Sequence, residues 1–334
     1  MRIVVLLGGT SAERDVSIVT GIAIARALEE NGHTVQAIDC AYGNRSIDFR
    51  IMDDSGVIRV EPSDIESQRQ LLDRNIFKTI DYLLEEGVDV VFNALHGGYG
   101  EDGRLSALLE MAGIPYTGSG PLASALGMNK HLSKILFRAG NIPTADWITL
   151  SSTEEVDTGK IELLGLPLVV KPNQQGSTVG LTIISDLAAL LPALEKAFQY
   201  SQTAIVEQYI PGHEITVAIL GNQPLPVIEI IPQSGLYDYE AKYQSGKTDY
   251  EVPAKLPPRV SESIQKASIL AFHALGCRGY GRVDLRLRDD HQFFCLEVNT
   301  LPGMTPTSLV PKAAKAVGIS FNELVERIVE LAVE

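Results

Sequence analysis

A β-hairpin with one apolar and one polar face is predicted by the stretch Gly281-Arg-Val-Asp-Leu-Arg-Leu-Arg-Asp-Asp-His-Gln-Phe-Phe-Cys-Leu-Glu-Val-Asn299. Polar and apolar residues alternate from Arg282 to Arg288, which is typical of a strand that is buried on one side only. A turn at Asp290-His291 then determines which residues lie opposite each other. On the apolar face the opposed pairs are Val283 with Val298, Leu285 with Leu296, and Leu287 with Phe294.

The polar face of this hairpin is a candidate metal site. The same register places Asp284 opposite Glu297 and Arg282 opposite Asn299, and two carboxylates that face each other on a sheet repel. A hard divalent cation with oxygen ligands, such as Mg²⁺, offsets that repulsion. The alternative is a solvated polar face that Arg282 neutralises, and the hairpin alone leaves both open. The following loop, Thr300-Leu-Pro-Gly-Met-Thr-Pro306, favours a site because its backbone N–H groups can bind an oxyanion.

A second candidate is the loop Lys171-Pro-Asn-Gln-Gln-Gly-Ser-Thr-Val-Gly180 between two predicted strands. Its N–H groups and hydroxyls can cradle phosphates, and its lysine supplies positive charge. It is not a Walker A loop, because the Gly-Lys-Ser/Thr order and the following helix are both missing. A purely structural hairpin turn is the alternative.

A third loop, Gly8-Gly-Thr-Ser-Ala-Glu-Arg14, joins the first predicted strand to the first helix. A nicotinamide-dinucleotide fold is disfavoured because the G-x-G-x-x-G fingerprint is absent and Glu13 would place negative charge near a phosphate. Asp39, at the end of the second strand, nevertheless lies where a ribose-binding acid could sit. Glu13 either stabilises the helix N-terminus or binds a substrate ammonium group.

The N-terminal part alternates strand and helix. Strands are predicted at Arg2–Leu7, Thr34–Asp39 and Val88–Leu95, with a helix at Val16–Asn31, while residues 41–75 are polar and show no clear pattern. Such alternation indicates a parallel sheet with ligands at the carboxyl ends of its strands.

The middle part and the last third of the chain are organised differently from this alternation. A helix is predicted over Pro121–Ala139, another over Pro258–Gly276, and Ser320-x-x-Glu323 is a capping box that opens the last one. The polar stretch Pro232–Pro253 has the length of a functional lid, and its share of the tyrosines disfavours disorder. Strands are predicted at 147–150, 166–171, 181–185, 204–209, 214–220 and 225–231.

Composition excludes several classes of protein. With 28 basic and 42 acidic residues, the net charge of −14 argues against a nucleic-acid-binding surface. No apolar run reaches the roughly 18–20 residues that a membrane helix needs. Three scattered cysteines are too few for a disulfide framework or a zinc site, so we expect the reducing cytoplasm.

Taken together, these segments resemble the ATP-grasp ligases, and among them most closely the D-alanine–D-alanine ligases. The resemblance extends over nearly the whole chain except residues 41–87. It is carried by Leu7-Gly-Gly-Thr-Ser-Ala-Glu-Arg-Asp15, Ala94-Leu-His-Gly97 with Gly100-Glu-Asp-Gly103, Tyr116-Thr-Gly-Ser-Gly120, Lys171 to Gly180, Tyr237-Asp-Tyr-Glu-Ala-Lys-Tyr243, Gly279-Tyr-Gly-Arg-Val-Asp284 and Leu296-Glu-Val-Asn-Thr-Leu-Pro-Gly-Met-Thr305.

The resemblance implies an α/β fold with α+β character in its ATP-grasp part, and three domains. They are an N-terminal parallel-sheet domain at 1–112, a central subdomain at 113–205, and a C-terminal subdomain at 206–334 that carries the metal site and the lid loop 232–253. ATP would lie between the second and third domains, with Mg²⁺ or Mn²⁺ as the metal. A homodimer is a further expectation of the family.

The resemblance also implies roles for individual residues. Lys130, Lys171 and the lid residue Lys242 would contact the nucleotide, with Glu207 and Tyr209 near adenine and Glu214 at the ribose. Asp284, Glu297 and Asn299 match the family's metal ligands. Arg282 and the Gly303 amide match the groups that stabilise the oxyanion. The remaining matches are Glu13 at the first substrate, His96 as a candidate proton-transfer residue, Ser177 and Tyr243 in a lid contact with Glu13, and Ser308 and Leu309 around the second substrate.

The implied reaction is the ATP-dependent ligation of two D-alanines through an acyl phosphate. Three alternatives remain: an ATP-grasp ligase with D-lactate or D-serine as acceptor, a nicotinamide-dependent dehydrogenase, and a non-catalytic nucleotide-binding regulator. Tyr243 favours an amino-acid acceptor, since family members that make depsipeptides can carry another residue there. The sequence departs from the family pattern at Asn173-Gln-Gln-Gly176, where several family members have a charged residue just before the glycine.

Overall fold

The computed structural model describes residues 1–50, 65, 67–233 and 247–334, which form three β-sheets flanked by helices. The mixed helix-and-sheet fold expected from the sequence is confirmed.

The first sheet contains the N-terminal strands in the order β3-β2-β1-β4. The central strand β1 runs parallel to both β2 and β4, as the alternation of strand and helix predicted. The described part of residues 41–87, for which the sequence predicted no elements, contributes the short antiparallel strand β3 and the helices α2 and α3. The bounds are β1 (Arg2–Leu7), α1 (Arg14–Glu30), β2 (Thr34–Asp39), β3 (Ser46–Ile47), α2 (Arg69–Asp73), α3 (Asn75–Glu86), β4 (Val90–Asn93) and α4 (Arg104–Met111).

The helix predicted over Pro121–Ala139 is in fact two helices, α5 (Pro121–Met128) and α6 (Lys130–Ala139). Asn129 separates them because its extended backbone ends the first helix, while its side-chain oxygen accepts a hydrogen bond of 3.1 Å from the Leu132 N–H. Asparagine is among the residues that cap a helix best. The break makes Lys130 the first residue of α6.

The second sheet is antiparallel, in the order β5-β8-β6-β7. Its last strand in the chain, β8, extends across the expected domain boundary at 205/206 and pairs with β5 and β6 along its length. The bounds are β5 (Trp147–Leu150), α7 (Thr158–Glu162), β6 (Leu168–Pro172), β7 (Thr182–Ile184), α8 (Leu190–Phe198) and β8 (Ala204–Gln208).

The third sheet has the order β12-β11-β9-β13-β14, with β10 paired to β9. Strand β12 lies inside the stretch 232–253 that was expected to be an irregular lid, and it pairs with β11. The bounds are β9 (His213–Leu220), β10 (Gln223–Pro224), β11 (Ile228–Pro232), β12 (Thr248–Glu251), α9 (Pro258–Ala274), β13 (Tyr280–Leu287), β14 (Phe293–Asn299), α10 (Leu309–Ala316) and α11 (Phe321–Val333). Ser320 caps α11 through the Glu323 N–H, as the capping box predicted.

The register of the hairpin β13–β14 is confirmed at its open end and wrong toward its turn. Asp284 pairs with Glu297, but a β-bulge follows, so that Leu285 pairs with Cys295 rather than Leu296, and Leu287 with Phe293 rather than Phe294. A bulge inserts one extra residue in one strand and re-aims its side chains. Here Cys295 enters the core, while Leu296 joins Glu297 in facing a cavity.

Candidate active site

Two neighbouring cavities lie among the sheets. The large cavity, of about 440 Å³, lies among α1, the hairpin β13–β14 and the loop that precedes α10. The small cavity, of about 130 Å³, lies between the second and third sheets. Lys130 and Glu297 line both, so the two cavities meet at this pair. Their Nζ and Oε2 atoms are 3.1 Å apart.

The three expected metal ligands come together on the polar face of the hairpin. Arg282 donates two hydrogen bonds of 2.8 Å to the two carboxylate oxygens of Asp284, and the Thr216 hydroxyl donates a third of 2.7 Å. Asn299 accepts a bond of 3.0 Å from the Leu301 N–H. The ion pair between Arg282 and Asp284 is the one expected if Arg282 neutralises a solvated polar face. The Arg282 and Asp284 side chains, however, are only 12% and 13% exposed, so this face lines a cavity and is not a solvated surface.

The chemistry of these donors fits a hard cation. Two carboxylates and one amide offer only oxygen ligands, which suit Mg²⁺. In the part of the chain that the structure describes, no group of three or more His, Cys, Asp or Glu side chains is placed to hold a metal. Any metal here therefore depends on Asn299, or on ligand oxygens, besides Asp284 and Glu297.

A buried charge cluster forms one wall of the small cavity. Glu207 accepts from Lys171 at 2.5 Å and lies 2.9 Å from the Lys134 ammonium. Burial alone would raise the pKa of Glu207, but the two lysines outweigh it and lower that pKa to about 2. Lys134 is fully buried, and it also donates to the Thr144 hydroxyl at 2.8 Å.

The sequence prediction did not include Lys134. It follows Lys130 by one helical turn in α6, and this i, i+4 spacing is the signal that could have found it. Burial lowers the pKa of Lys134, and the charge of Glu207 opposes that effect.

The loop after β6 connects the large cavity to the first helix. Ser177 has φ +53° and Thr178 has φ +62°, left-handed conformations that residues other than glycine rarely adopt. The Ser177 hydroxyl donates to the Glu13 carboxylate at 2.5 Å. Lys130 donates to the Gln175 carbonyl of the same loop at 2.9 Å. Glu13 and Ser177 are thus together, as expected from the resemblance.

Glu101 is a second acid beside Glu13 in the large cavity, and the sequence prediction gave it no role. Its carboxylate accepts from the Gly97 N–H at 3.0 Å. Burial and then the charge of Glu13 raise the pKa of Glu101 to about 8. Burial lowers the pKa of His96, which keeps its imidazole neutral, and its Nε2 lies 3.2 Å from the Thr20 hydroxyl.

The opposite end of the large cavity is formed where α10 begins. Ser308 is the N-cap residue of this helix, and its hydroxyl accepts from the Thr305 N–H at 3.1 Å. A side chain at Gly303 would come within 3.2 Å of the same hydroxyl, so the glycine keeps the backbone close to it. Gly303, Ser308 and Leu309 all line the cavity, as expected for residues around a second substrate.

Tyr209, Glu214 and Leu296 line the small cavity together with Lys171 and Glu207. Lys242 and Tyr243 lie outside the described residues. Asp39, considered as a ribose-binding acid, is instead buried, with Arg14 at 2.9 Å and the Gly9 N–H at 3.2 Å as hydrogen-bond donors. It therefore supports the loop of Gly8 and Gly9 from within.

Comparison with known proteins identifies relatives over the whole chain. Residues 2–119 match the sequence model described as D-ala D-ala ligase N-terminus, and residues 136–330 match D-ala D-ala ligase C-terminus. A D-alanine–D-alanine ligase of Syntrophotalea carbinolica is 43% identical over 98% of this chain and 94% of its own length. One from Synechococcus sp. (strain JA-2-3B'a(2-13)) is 45% identical over 100% and 94%.

Solved structures agree with these sequence matches. A D-alanine–D-alanine ligase from Bacillus anthracis complexed with ATP is similar to this chain with a TM-score of 0.78 at 34% identity, covering 100% of this chain and 97% of that one. The enzyme from Coxiella burnetii has a TM-score of 0.79 at 29% identity, with 100% and 94% covered. Among the described residues, none of the helices is long and apolar enough to cross a membrane.

Proposed function

Since the chain belongs to the D-alanine–D-alanine ligase family, we propose that its small cavity holds ATP and its large cavity the two D-alanines. The chain is an ATP-dependent ligase that joins two D-alanines through an acyl phosphate for peptidoglycan precursor synthesis. The observation that carries the proposal is the sharing of Lys130 and Glu297 by the two cavities. A phosphate at one cavity can meet a carboxylate at the other only where the cavities join.

In the small cavity, we assign Lys130 and Lys171 to the phosphates of ATP and Glu207 with Tyr209 to the adenine. Glu214 is assigned to the ribose. Support comes from Lys171, whose side chain is 9% exposed and whose ammonium is already held by Glu207, so little side-chain freedom is lost when a phosphate binds. Lys242, outside the described residues, is assigned to the phosphates as well.

Asp284, Glu297 and Asn299 would hold Mg²⁺, with Mn²⁺ as a substitute of the same coordination chemistry. When bound, the metal would neutralise negative charge on the phosphates of ATP. The support is the set of oxygen donors on one face of the hairpin, beside Lys130.

In the first step, the carboxylate of one D-alanine attacks the γ-phosphorus of ATP, and ADP leaves. Glu13, which Ser177 orients, binds the ammonium group of this D-alanine. Lys130, Lys171 and Arg282 offset the negative charge that develops.

In the second step, the amine of the other D-alanine attacks the acyl phosphate, and phosphate leaves. Ser308 and Leu309 bind this second D-alanine, while Arg282 and the Gly303 N–H stabilise the oxyanion of the tetrahedral intermediate. The amine must lose a proton, and His96 is a suitable acceptor because it is neutral and lines the same cavity.

The experiment that tests this function is phosphate release from ATP with D-alanine, L-alanine or D-lactate as substrate. We expect release with D-alanine, together with the dipeptide, and little release with the other two. Binding of ATP without D-alanine-dependent release would indicate a regulator. A titration with NAD(P)H tests the dehydrogenase alternative, for which the buried Asp39 offers no ribose-binding acid.

Three domains are proposed with the expected ranges 1–112, 113–205 and 206–334, except that β8 favours moving the second boundary beyond Gln208. The use of ATP supports a cytoplasmic location.

A homodimer is proposed through α2 and α3, where Leu71, Phe77 and Leu84 are 64%, 58% and 54% exposed. Clusters of large exposed apolar side chains are typical of interaction surfaces, and here the proposed partner is a second copy of the chain.

A further inference from the structure

Tyr250 forms a wall of the large cavity near the start of α10. It belongs to the edge strand β12, where it pairs with Ile230 of β11. Its side chain lines the large cavity and also an outer recess formed with Thr248, Lys312 and Lys315. A side chain that lines two spaces separates them, so Tyr250 is the partition between the large cavity and the outer surface at this end.

Lys312 contacts the Tyr250 side chain from the outer recess. Its ammonium lies 4.7 Å from the centroid of the Tyr250 ring, within the range of a cation–π interaction. The same ammonium donates to the carbonyl of Thr307, the residue before the helix cap Ser308. Among the described residues, Lys312 lines the outer recess and not the large cavity, and its contacts with the Tyr250 ring and this carbonyl link it to the cavity wall.

We propose that Tyr250 limits the size of the second D-amino acid and that Lys312 is the positioning residue that keeps its ring in place. The inference rests on the proposed binding of the second D-alanine at Ser308 and Leu309. These residues line the same cavity as Tyr250, and Leu309 is itself buried. A wall that is held in place from outside favours the smallest acceptor that fills the site, because a larger one must displace packed atoms.

The test is a competition between D-alanine and D-2-aminobutyrate as acceptors, with the dipeptides identified by mass spectrometry. For Tyr250→Ala we expect the preference for D-alanine to fall at least about tenfold, the scale of discrimination that one methylene gives in an apolar pocket. The KM for the second D-alanine should rise, while the KM for ATP stays unchanged. Tyr250→Phe, which keeps both the wall and the cation–π contact, should behave like the wild type.

Lys312→Met removes the charge and retains an apolar chain, so it should shift the acceptor preference in the same direction by a smaller factor. Lys312→Arg should restore the wild-type preference. Lys315→Met, on the same helix and in the same recess, is the matched control and should change nothing.

Unchanged acceptor preference in both Tyr250→Ala and Lys312→Met would overturn the inference. Should Tyr250→Ala fail to fold, Lys312→Met decides the matter alone. A wild-type enzyme that forms no dipeptide from D-alanine would instead contradict the proposed function, so the two failures are distinguishable.

Discussion

Arg282 donates two hydrogen bonds of 2.8 Å to the carboxylate of Asp284, so a proposed oxyanion stabiliser is also the counterion of a proposed metal ligand. The two residues lie two positions apart on β13, on the same face of the strand. The arginine therefore lies beside the proposed metal site. From this position one side chain would offset negative charge in both proposed steps, phosphoryl transfer and the later attack of the amine.

Arg282→Ala should lower turnover at least about 100-fold, since loss of one oxyanion donor typically costs ~3–4 kcal/mol of barrier. Steady-state phosphate release measures this. Arg288→Ala, at the end of the same hairpin, removes a partly exposed arginine paired with Asp290 and serves as control. Near-normal turnover in Arg282→Ala would refute its assignment.

Glu297→Ala should abolish Mg²⁺-dependent turnover while the protein stays folded. The variant loses one of the two carboxylates, and Lys130 keeps its bond to the Gln175 carbonyl. A magnesium titration of activity, with circular dichroism to verify folding, is the measurement. Asp290→Ala in the turn is the control, and a wild-type magnesium dependence in Glu297→Ala contradicts the metal site.

Ser177→Ala should weaken use of the first D-alanine. Its hydroxyl donates to the Glu13 carboxylate at 2.5 Å, and a hydrogen bond to a charged group contributes about 1.5–3 kcal/mol. We expect kcat/KM for the first D-alanine to fall roughly ten- to hundredfold, whereas the dissociation constant of ATP changes little. An equal loss for both substrates would mean that the loop as a whole has been disturbed.

The buried Glu207 predicts a loss of stability in acid. Its pKa is about 2 in the folded state and about 4.3 in an unfolded chain, so above pH 5 it is ionised in both. Below that, the unfolded chain binds the proton first, and the free energy of unfolding falls by roughly 3 kcal/mol as the pH approaches 2. Denaturant unfolding at a series of pH values measures this, and Glu207→Gln should flatten that part of the profile.

The proposed dimer predicts that Phe77→Glu combined with Leu84→Glu yields monomers. These side chains lie two turns apart on the outer face of α3, and a buried unpaired charge is costly at an interface. Light scattering coupled to size exclusion gives the mass. Leu163→Glu, at a residue 87% exposed and distant in the chain, is the control. A double variant that remains dimeric excludes this surface.

Local patterns explain what the sequence predicted well. The strands Arg2–Leu7, Thr34–Asp39 and Trp147–Leu150 have their predicted bounds. For Arg2–Leu7 the reason is plain, since a run of apolar residues that ends at a Gly-Gly turn defines a buried strand. The pairing of Asp284 with Glu297 followed from the alternation together with the turn placed at Asp290-His291. In contrast, the bulge after Asp284 leaves no mark in the pattern, since Cys295 and Leu296 are both apolar and either could face the core.

Other features depend on contacts that are distant in sequence. The pair of Lys134 and Glu207 joins α6 to β8, and a lysine on a helix gives no sign that a carboxylate from another element will bury it. The raised pKa of Glu101 likewise arises from burial beside Glu13. The sequence therefore does not predict charge clusters that form only in the folded chain, although the segment containing Glu101 is one of those that carry the family resemblance.

The bulge in β14 has a consequence for how the hairpin tolerates change. The alignment of Asp284 with Glu297 is set by the pairs on its own side of the bulge and by the continuous pairing of β13 with β9. The turn around Asp290 lies on the other side, in a different register. The pairing that aligns the two carboxylates therefore does not depend on the register near the turn, and we expect variation in the length or composition of the turn to leave the two carboxylates opposite each other.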